Sequence, residues 1–230
     1  MNIPQENSND QSTPVLEFKN VSFSWPDGTG LKNVSFAVPK GQFVLISGPS
    51  GAGKSTLLRL AVRLEEIQHG EILLHGSSIT TLYPPVLRTR IGFVQQTPIV
   101  LPGTVRSNLL MPFTLTSRKD CTQPKDSELL YWMDRLSLGH ISLETEATNL
   151  SVGQKQRLCL IRSVLPKPDV ICFDEPTSSL DRESREQVEQ AAEELAGNGI
   201  SILMVNHTSY HPTCPHMHIT VSNGTVEVLK

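Results

Sequence analysis

No stretch of this sequence stays apolar for the roughly 18 residues that a membrane-spanning helix needs, so none is expected. Charge of one sign is scarce too. A formal net charge of -3 gives no reason to expect nucleic acid or an anionic membrane surface as a partner. Aromatic residues make up 5%, and the four cysteines, Cys121, Cys159, Cys172 and Cys214, show no paired spacing. Cys159 and Cys172 lie in apolar segments, where buried thiols in a reducing cytosol are the expectation. The first residues are polar, without the apolar core of a secretory leader, so no leader is expected. Residues 1–14 read as a loose polar tail. What remains is a chain of 230 residues, 38% hydrophobic, enough for one large domain or two small ones.

Against that background one stretch stands out. Gly48, Pro49, Ser50, Gly51, Ala52, Gly53, Lys54, Ser55 and Thr56 fit G-x-x-x-x-G-K-[ST], the Walker A phosphate loop. At average residue frequencies a chance match in a chain this long is roughly a one-per-cent event. Residues 43–46 before it are apolar and β-favouring, and residues 55–64 after it carry leucines at helical spacing. The loop therefore has the strand and the helix that the motif requires. Glycines let the backbone wrap closely around phosphate oxygens, because no Cβ is in the way. The loop's N–H groups and the positive end of the helix then face the anion. Lys54 would add a point charge at the β- and γ-phosphates, and the Ser55 hydroxyl would ligate magnesium.

Ahead of the loop, apolar residues alternate through Leu16, Phe18, Val21, Phe23 and Trp25, then through Val34, Phe36 and Val38. Residues 26–30 between them read as a turn, which makes an antiparallel pair. Trp25 sits beside that turn and leaves two readings open. It is an edge aromatic packed on the sheet, or a π-face on which adenine stacks. Past the loop's helix, residues 71–75 and 91–95 read as short strands, with Pro84 and Pro85 opening a small helix between them. Gln96 follows the second strand, where it either reaches a metal-bound water or caps the strand edge. From residue 97 the character changes. Pro98, Pro102 and Pro112 break up the first part, and residues 127–136 have apolar side chains at helical spacing. This reads as an inserted, mostly helical lobe, with Trp132 and Met133 in its core.

Leu150, Ser151, Val152, Gly153 and Gln154 precede another helix. Ser151 is well placed as its N-cap; a serine, a glycine and N–H groups at a helix start also make a second anion site. Residues 170–173 are apolar and end in Asp174 and Glu175, a Walker B pattern. Beside a phosphate loop, the pair reads as an aspartate holding magnesium through water and a glutamate that orients and deprotonates an attacking water. Residues 200–205 form a further buried strand that ends at Asn206 and His207, the edge of an α/β sheet where ligands bind. A lone histidine there is either structural or in touch with the γ-phosphate. Asn223-Gly224, between two alternating runs, is a hairpin signal. His211, Cys214, His216 and His218 crowd the same end with ligand-like residue types. Pro212 and Pro215 interrupt them, and a solvent-facing turn is the plainer reading.

Taken together, residues 48–56, Gln96, Leu150 to Gln154, Asp174 and Glu175, Ser179-Leu180-Asp181 and His207 occur in the order and approximate spacing of an ABC-type ATPase. From about Val15 onward the chain resembles that family. The resemblance implies an α/β fold: a P-loop NTPase (RecA-like) core with an antiparallel β subdomain and an inserted α-helical subdomain. Residues 15–230 would form a single ABC ATPase domain, with 97–158 as the inserted helical and signature subdomain. ATP and Mg2+ would be its cofactors. By the same resemblance, Trp25 looks like the adenine-stacking aromatic, Gln96 like the Q-loop glutamine near magnesium, and Glu175 like the catalytic base. His207 looks like the switch histidine and Asp181 like the D-loop aspartate. Ser151, Val152, Gly153 and Gln154 resemble the signature that closes over a partner subunit's ATP. Val152 stands where the usual motif has glycine, which puts the orientation of that helix tip in question.

Such a chain is expected to form a homodimer that sandwiches two ATP molecules. With no span of its own, it would drive a separate transmembrane permease from the cytoplasmic face of the inner or plasma membrane. The lobe near 96–112 would be the docking surface, with Leu109, Leu110 and Met111 either lining a groove or filling the lobe core. A finer similarity runs through Thr81, Leu82, Pro84, Gln96-Thr97-Pro98, Gly103-Thr104-Val105 and Asn108-Leu109. It is to the small stand-alone ATPases of the FetA/YbbL kind, which are linked to iron export. Two other classes stay open: a soluble ABC ATPase acting without a permease, and a nucleotide-binding module that has lost catalysis.

Overall fold

The computed structural model describes residues 13–115, 122–178, 180–206 and 210–229. The chain begins with β1 (Leu16–Ser24), β2 (Gly30–Val38), β3 (Phe43–Ser47), α1 (Lys54–Ala61), β4 (His69–Leu74), β5 (Ser77–Ser78), α2 (Pro84–Arg90) and β6 (Ile91–Val94). It continues with α3 (Val105–Thr114), α4 (Asp126–Arg135), α5 (Val152–Val164), β7 (Val170–Asp174), α6 (Arg182–Gly197), β8 (Ser201–Val205), β9 (His216–Ser222) and β10 (Thr225–Leu229).

Two patterns of apolar residues give two kinds of sheet. β1 and β2 alternate and pair antiparallel, with Leu16 opposite Val38 and Phe18 opposite Phe36. The stacked Phe18 and Phe36 rings lie 4.6 Å apart. This smaller sheet runs in the order β2-β1-β4-β5. β3, β7 and β8 are apolar almost throughout and are buried on both faces, as parallel strands covered by helices must be. They form the centre of a sheet of order β10-β9-β3-β8-β7-β6, parallel except for the β9–β10 hairpin at one edge. That hairpin turns at Asn223 and Gly224, both with positive φ, the chemistry of a tight two-residue turn.

Each face of the larger sheet has its own core. Val44, Ile46, Cys172 and Leu203 face α1 and the smaller sheet. Phe43, Leu45, Phe173 and Met204 face α5, α6 and the helices α3 and α4. Met133 is fully buried there, and Trp132 packs partly buried against the same core. The 97–158 stretch thus carries α3, α4 and the first half of α5. One expectation is corrected and one open alternative is resolved. Pro112 does not break the chain: α3 runs through it. Proline in a short helix forfeits only one backbone bond, here offset by burial of Leu109 and Phe113. Leu109 is fully buried and cannot line a groove, whereas Met111 does. Among the described residues no helix is long and apolar enough to cross a membrane.

Because β3, β8, β7 and β6 run parallel in register, their carboxyl ends lie along one edge of the sheet. The phosphate loop, Asn206, Asp174-Glu175 and Gln95-Gln96 all leave from that edge. In open α/β sheets this is where ligands bind.

Candidate functional site

The loop after β3 has the backbone that its glycines allow. Gly48 has φ +139, and a Cβ there would sit 2.1 Å from the Val221 carbonyl oxygen. Any other residue would force the loop off β9. Gly53, at φ +107, ends the loop as the residue before α1, where a left-handed conformation disfavours side chains. Lys54 then opens the helix and is buried. Its Nζ donates to the Gly48 and Pro49 carbonyl oxygens, each at 2.9 Å. Burial pulls the Lys54 ammonium below the usual lysine range, against the opposing pull of Glu175 and Asp174. A desolvated cation folded over its own loop is poised to exchange two neutral carbonyls for phosphate oxygens.

Ser55, in the first turn of α1, and Asp174, at the end of β7, are 119 positions apart, yet the Ser55 hydroxyl donates to Asp174 Oδ1 at 2.7 Å. Asp174 is buried. Burial raises its carboxyl above the usual aspartate range, more than the Ser55 hydrogen bond, Arg59 and Lys54 lower it. Glu175 follows at φ +50, a region rarely used by non-glycine residues and concentrated at functional sites. The turn swings its side chain toward Gln96, whose Nε2 donates to Glu175 Oε2 at 3.1 Å and to Ser178 Oγ at 3.2 Å. Trp25 is half-buried, edge-on to Phe23 with ring centroids 4.8 Å apart. Its indole N–H reaches Thr56 Oγ1 at 3.4 Å. Trp25, residues 48–56, Gln96, Asp174 and Glu175 therefore form one contiguous edge.

The stretch expected to act as a signature, residues 151–154, makes its side-chain hydrogen bonds within itself. Ser151 caps α5 in a reciprocal box: its Oγ accepts from the Gln154 N–H at 3.2 Å, and Gln154 Oε1 accepts from the Ser151 N–H at 2.9 Å. Both side chains are thus occupied at the helix start itself. Val152 is 53% exposed, and Gly153 lies close to Leu180 and Ser184. None of the hydrogen bonds of Ser151 or Gln154 reaches the phosphate loop. Asp181 caps α6, accepting from both the N–H and the hydroxyl of Ser184. His207 lies outside the described residues, as does Ser179.

Several contacts were invisible to motif reading. Gln156 donates to the Gln95 carbonyl at 3.0 Å, tying α5 to the residue before Gln96. Buried Arg157 donates to Ser184 Oγ at 2.7 Å, tying α5 to the Asp181 cap. In sequence the two are the end of a polar run, Gln154 to Arg157, just before the apolar Leu158 to Ile161, and nothing local marks them as buried. The C-terminal histidines are engaged separately: His218 Nε2 lies 2.7 Å from Ser47 Oγ, and His216 Nδ1 lies 3.0 Å from the Cys214 carbonyl oxygen.

A glycine-cradled lysine at a helix start, with an aspartate–glutamate pair two strands away, defines a P-loop nucleoside-triphosphatase. The chain belongs to the ABC transporter family, whose ATP-binding domain hydrolyses ATP; residues 31–178 match the family model of that description. It is 35% identical over 198 residues to the probable iron export ATP-binding protein FetA of Escherichia coli (strain K12), covering 86% of each chain. A putative export ATP-binding/permease protein of Rickettsia bellii (strain RML369-C) is 32% identical over 92% of this chain. That match spans only 37% of the longer protein. The solved structure of cbiO1 from Clostridium perfringens, part of the ABC transporter complex cbiONQ, shares the fold. Its TM-score is 0.79 at 23% identity, over 94% of this chain and 88% of that one.

Proposed function

We propose that this chain is the ATP-hydrolysing subunit of an exporter, working as a homodimer that closes around two ATP molecules and drives a separate transmembrane permease. The observation that carries this reading is the split of the site. The phosphate loop, Gln96, Asp174 and Glu175 meet on one edge, while the Ser151–Gly153 tip makes none of its hydrogen bonds there. An ATP held by one copy's loop is then completed by the other copy's helix tip. Trp25 supplies the face for the base. Lys54 meets the phosphates, leaving the Gly48 and Pro49 carbonyls.

Ser55, Asp174 and Gln96 would hold magnesium. The fit is chemical: Ser55 Oγ and Asp174 Oδ1 converge at 2.7 Å, and hydroxyl and carboxylate oxygens suit a hard cation. Magnesium, when bound, supplies positive charge to the phosphate oxygens. Glu175 orients the attacking water and accepts its proton at a carboxylate oxygen. Its Oε2 already accepts from the Gln96 amide; a carboxylate's two oxygens accept further bonds, and the water takes one of them. His207 would contact the γ-phosphate, and Asp181 would face the partner across the dimer.

The permease would dock in a groove of about 940 Å³ that opens beside Gln95. Tyr83, Val86, Ile99 and Leu115 stand exposed along it. Arg88 and Arg162 line it, with no acidic residue among the described lining residues. An apolar cytoplasmic helix of the permease bearing an acidic side chain fits that surface. Placement on the cytoplasmic face of the membrane, peripheral and held by the permease, follows from this. Iron as cargo rests on similarity to the E. coli protein alone.

Glu175→Gln tests the reading. The variant should bind ATP, hydrolyse it at least about a hundredfold more slowly, accumulate as a dimer and copurify with its membrane protein. Turnover at the wild-type rate would remove Glu175 from its role.

A further inference from the structure

Where β4 gives out, a side chain continues its ladder. The pairing of β4 with β1 ends at His69, opposite Ser22. β1 runs on to Ser24. Gln68, the residue before β4, fills the place beside it with its amide. Gln68 Oε1 accepts from the Ser24 N–H at 2.9 Å, and Gln68 Nε2 donates to the Ser24 carbonyl oxygen at 3.0 Å. A facing strand residue would exchange the same two bonds. The backbone N–H of Gln68 also donates to the Ser22 carbonyl oxygen at 3.3 Å. Trp25 comes next along the chain from Ser24. The Ser24 carbonyl and the Trp25 N–H belong to one planar peptide unit. Gln68 holds that unit by its oxygen, and the Thr29 carbonyl oxygen holds it by the Trp25 N–H, at 2.7 Å. The unit is pinned from both edges of β1.

We propose that Gln68 is a positioning residue for Trp25, setting the face on which the base of the nucleotide stacks. The inference rests on the reading of Trp25 as the adenine-stacking aromatic. With the peptide plane ahead of it fixed, the indole is placed by the few torsions that remain. Phe23, edge-on at 4.8 Å, and the Thr56 hydroxyl, 3.4 Å from the indole N–H, settle those. The turn beyond is braced as well. The Gly28 N–H donates to the Trp25 carbonyl oxygen at 2.9 Å. Asp27 Oδ1 accepts from the Thr29 N–H at 2.9 Å and from the Thr29 hydroxyl at 2.6 Å. Gln68 itself is exposed, so its loss leaves both cores intact. A ring held in place before the base arrives binds it more tightly than one that must be ordered on contact.

The test separates base from phosphate. It uses the full chain carrying Trp132→Phe, which leaves Trp25 as the sole tryptophan, so that its emission reports the indole. Gln68→Ala should shift that emission to the red and raise the KM for ATP about fivefold, because two hydrogen bonds are lost. The kcat should stay within about twofold, since the chemistry is untouched. The inhibition constant of inorganic triphosphate, which has no base to stack, should stay within about 1.5-fold. Gln68→Glu keeps an acceptor for the Ser24 N–H and loses the donor to its carbonyl, so it should fall between Gln68→Ala and Gln68. In a Trp25→Ala background, Gln68→Ala should raise the KM for ATP by less than about 1.5-fold, because a residue acting through another loses its effect when that residue is gone. Equal fold-losses for ATP and triphosphate, equal fold-losses in both backgrounds, or an unchanged KM for Gln68→Ala overturn the proposal and leave the role of Trp25 standing. A wild-type KM for ATP in Trp25→Ala overturns the stacking reading, and this proposal falls with it.

Discussion

The phosphate loop and the signature tip both place N–H groups at a helix start, yet they are built in opposite ways. At the phosphate loop the groups that would meet nucleotide are turned inward onto one another: Lys54 on its own loop's carbonyls, Ser55 on Asp174, Gln96 on Glu175. At the signature, Ser151 and Gln154 satisfy each other in a capping box while Val152 faces outward. The first is a set of side chains waiting to exchange partners. The second is a finished helix end that changes little on meeting a phosphate. Under the proposed function, affinity for nucleotide would reside in the first region, and the second would contribute only when a second copy presents it.

Four substitutions sharpen or break that contrast. Lys54→Ala should have the largest effect, weakening ATP binding to the isolated chain by about a hundredfold or more, because a desolvated charge-assisted contact is removed. Equilibrium binding of a fluorescent ATP analogue checks this. Ser151→Ala should lower kcat about tenfold and leave ATP affinity of the isolated chain within about twofold. It should also destabilise the fold by about 1 kcal/mol through loss of the cap. If it weakened binding to the isolated chain as severely as Lys54→Ala, the two regions would not be separable.

The third concerns Asp174. Its carboxyl is raised in the folded chain, chiefly by burial. A carboxyl with a raised folded value stabilises the fold below its unfolded value, and that contribution is lost as pH rises through the folded value. At pH 7 the ionised Asp174 therefore burdens the nucleotide-free fold. Asp174→Asn should melt higher at pH 7, by about 2–4 °C, while losing ATPase activity. The gain in Tm should shrink as pH falls toward the ordinary value of 3.8. A variant that melts lower at pH 7 would contradict this account of the site as locally strained. The smallest effect is expected for Val152→Gly. The side chain is half exposed at the first turn of α5, so kcat should stay within about twofold, and stability should drop by less than about 1 kcal/mol.

Legibility in the sequence followed the range of the interactions involved. The doubly buried strands β3, β7 and β8 show as short apolar runs, and β1 and β2 show as alternation, because burial on two faces or on one writes itself locally. The Ser151 cap and the Asn223-Gly224 turn are local too. The α3 helix was obscured by Pro112, since proline advertises a break and the long-range burial of Leu109 and Phe113 overrides it. Which of Leu109, Leu110 and Met111 faces the groove depends on how α3 rotates against α5, and no local pattern fixes that. Gln156, Arg157, Glu189 and Glu193 sit on helices where polar residues ordinarily face solvent. Their partners Gln95, Ser184, Asn206 and Tyr210 are from 17 to 61 positions away, so only the packed chain reveals them.

The most direct measurement is the specific ATPase rate of the purified chain against its own concentration, with mass monitored in parallel by light scattering. The rate per subunit should rise with concentration and level off where a dimer forms with ATP. Equal amounts of Lys54→Ala and Ser151→Ala, mixed, should regain part of the lost rate, because a mixed dimer has one intact composite site. Full activity per subunit, independent of dilution, in a species that stays monomeric with ATP bound would contradict the account.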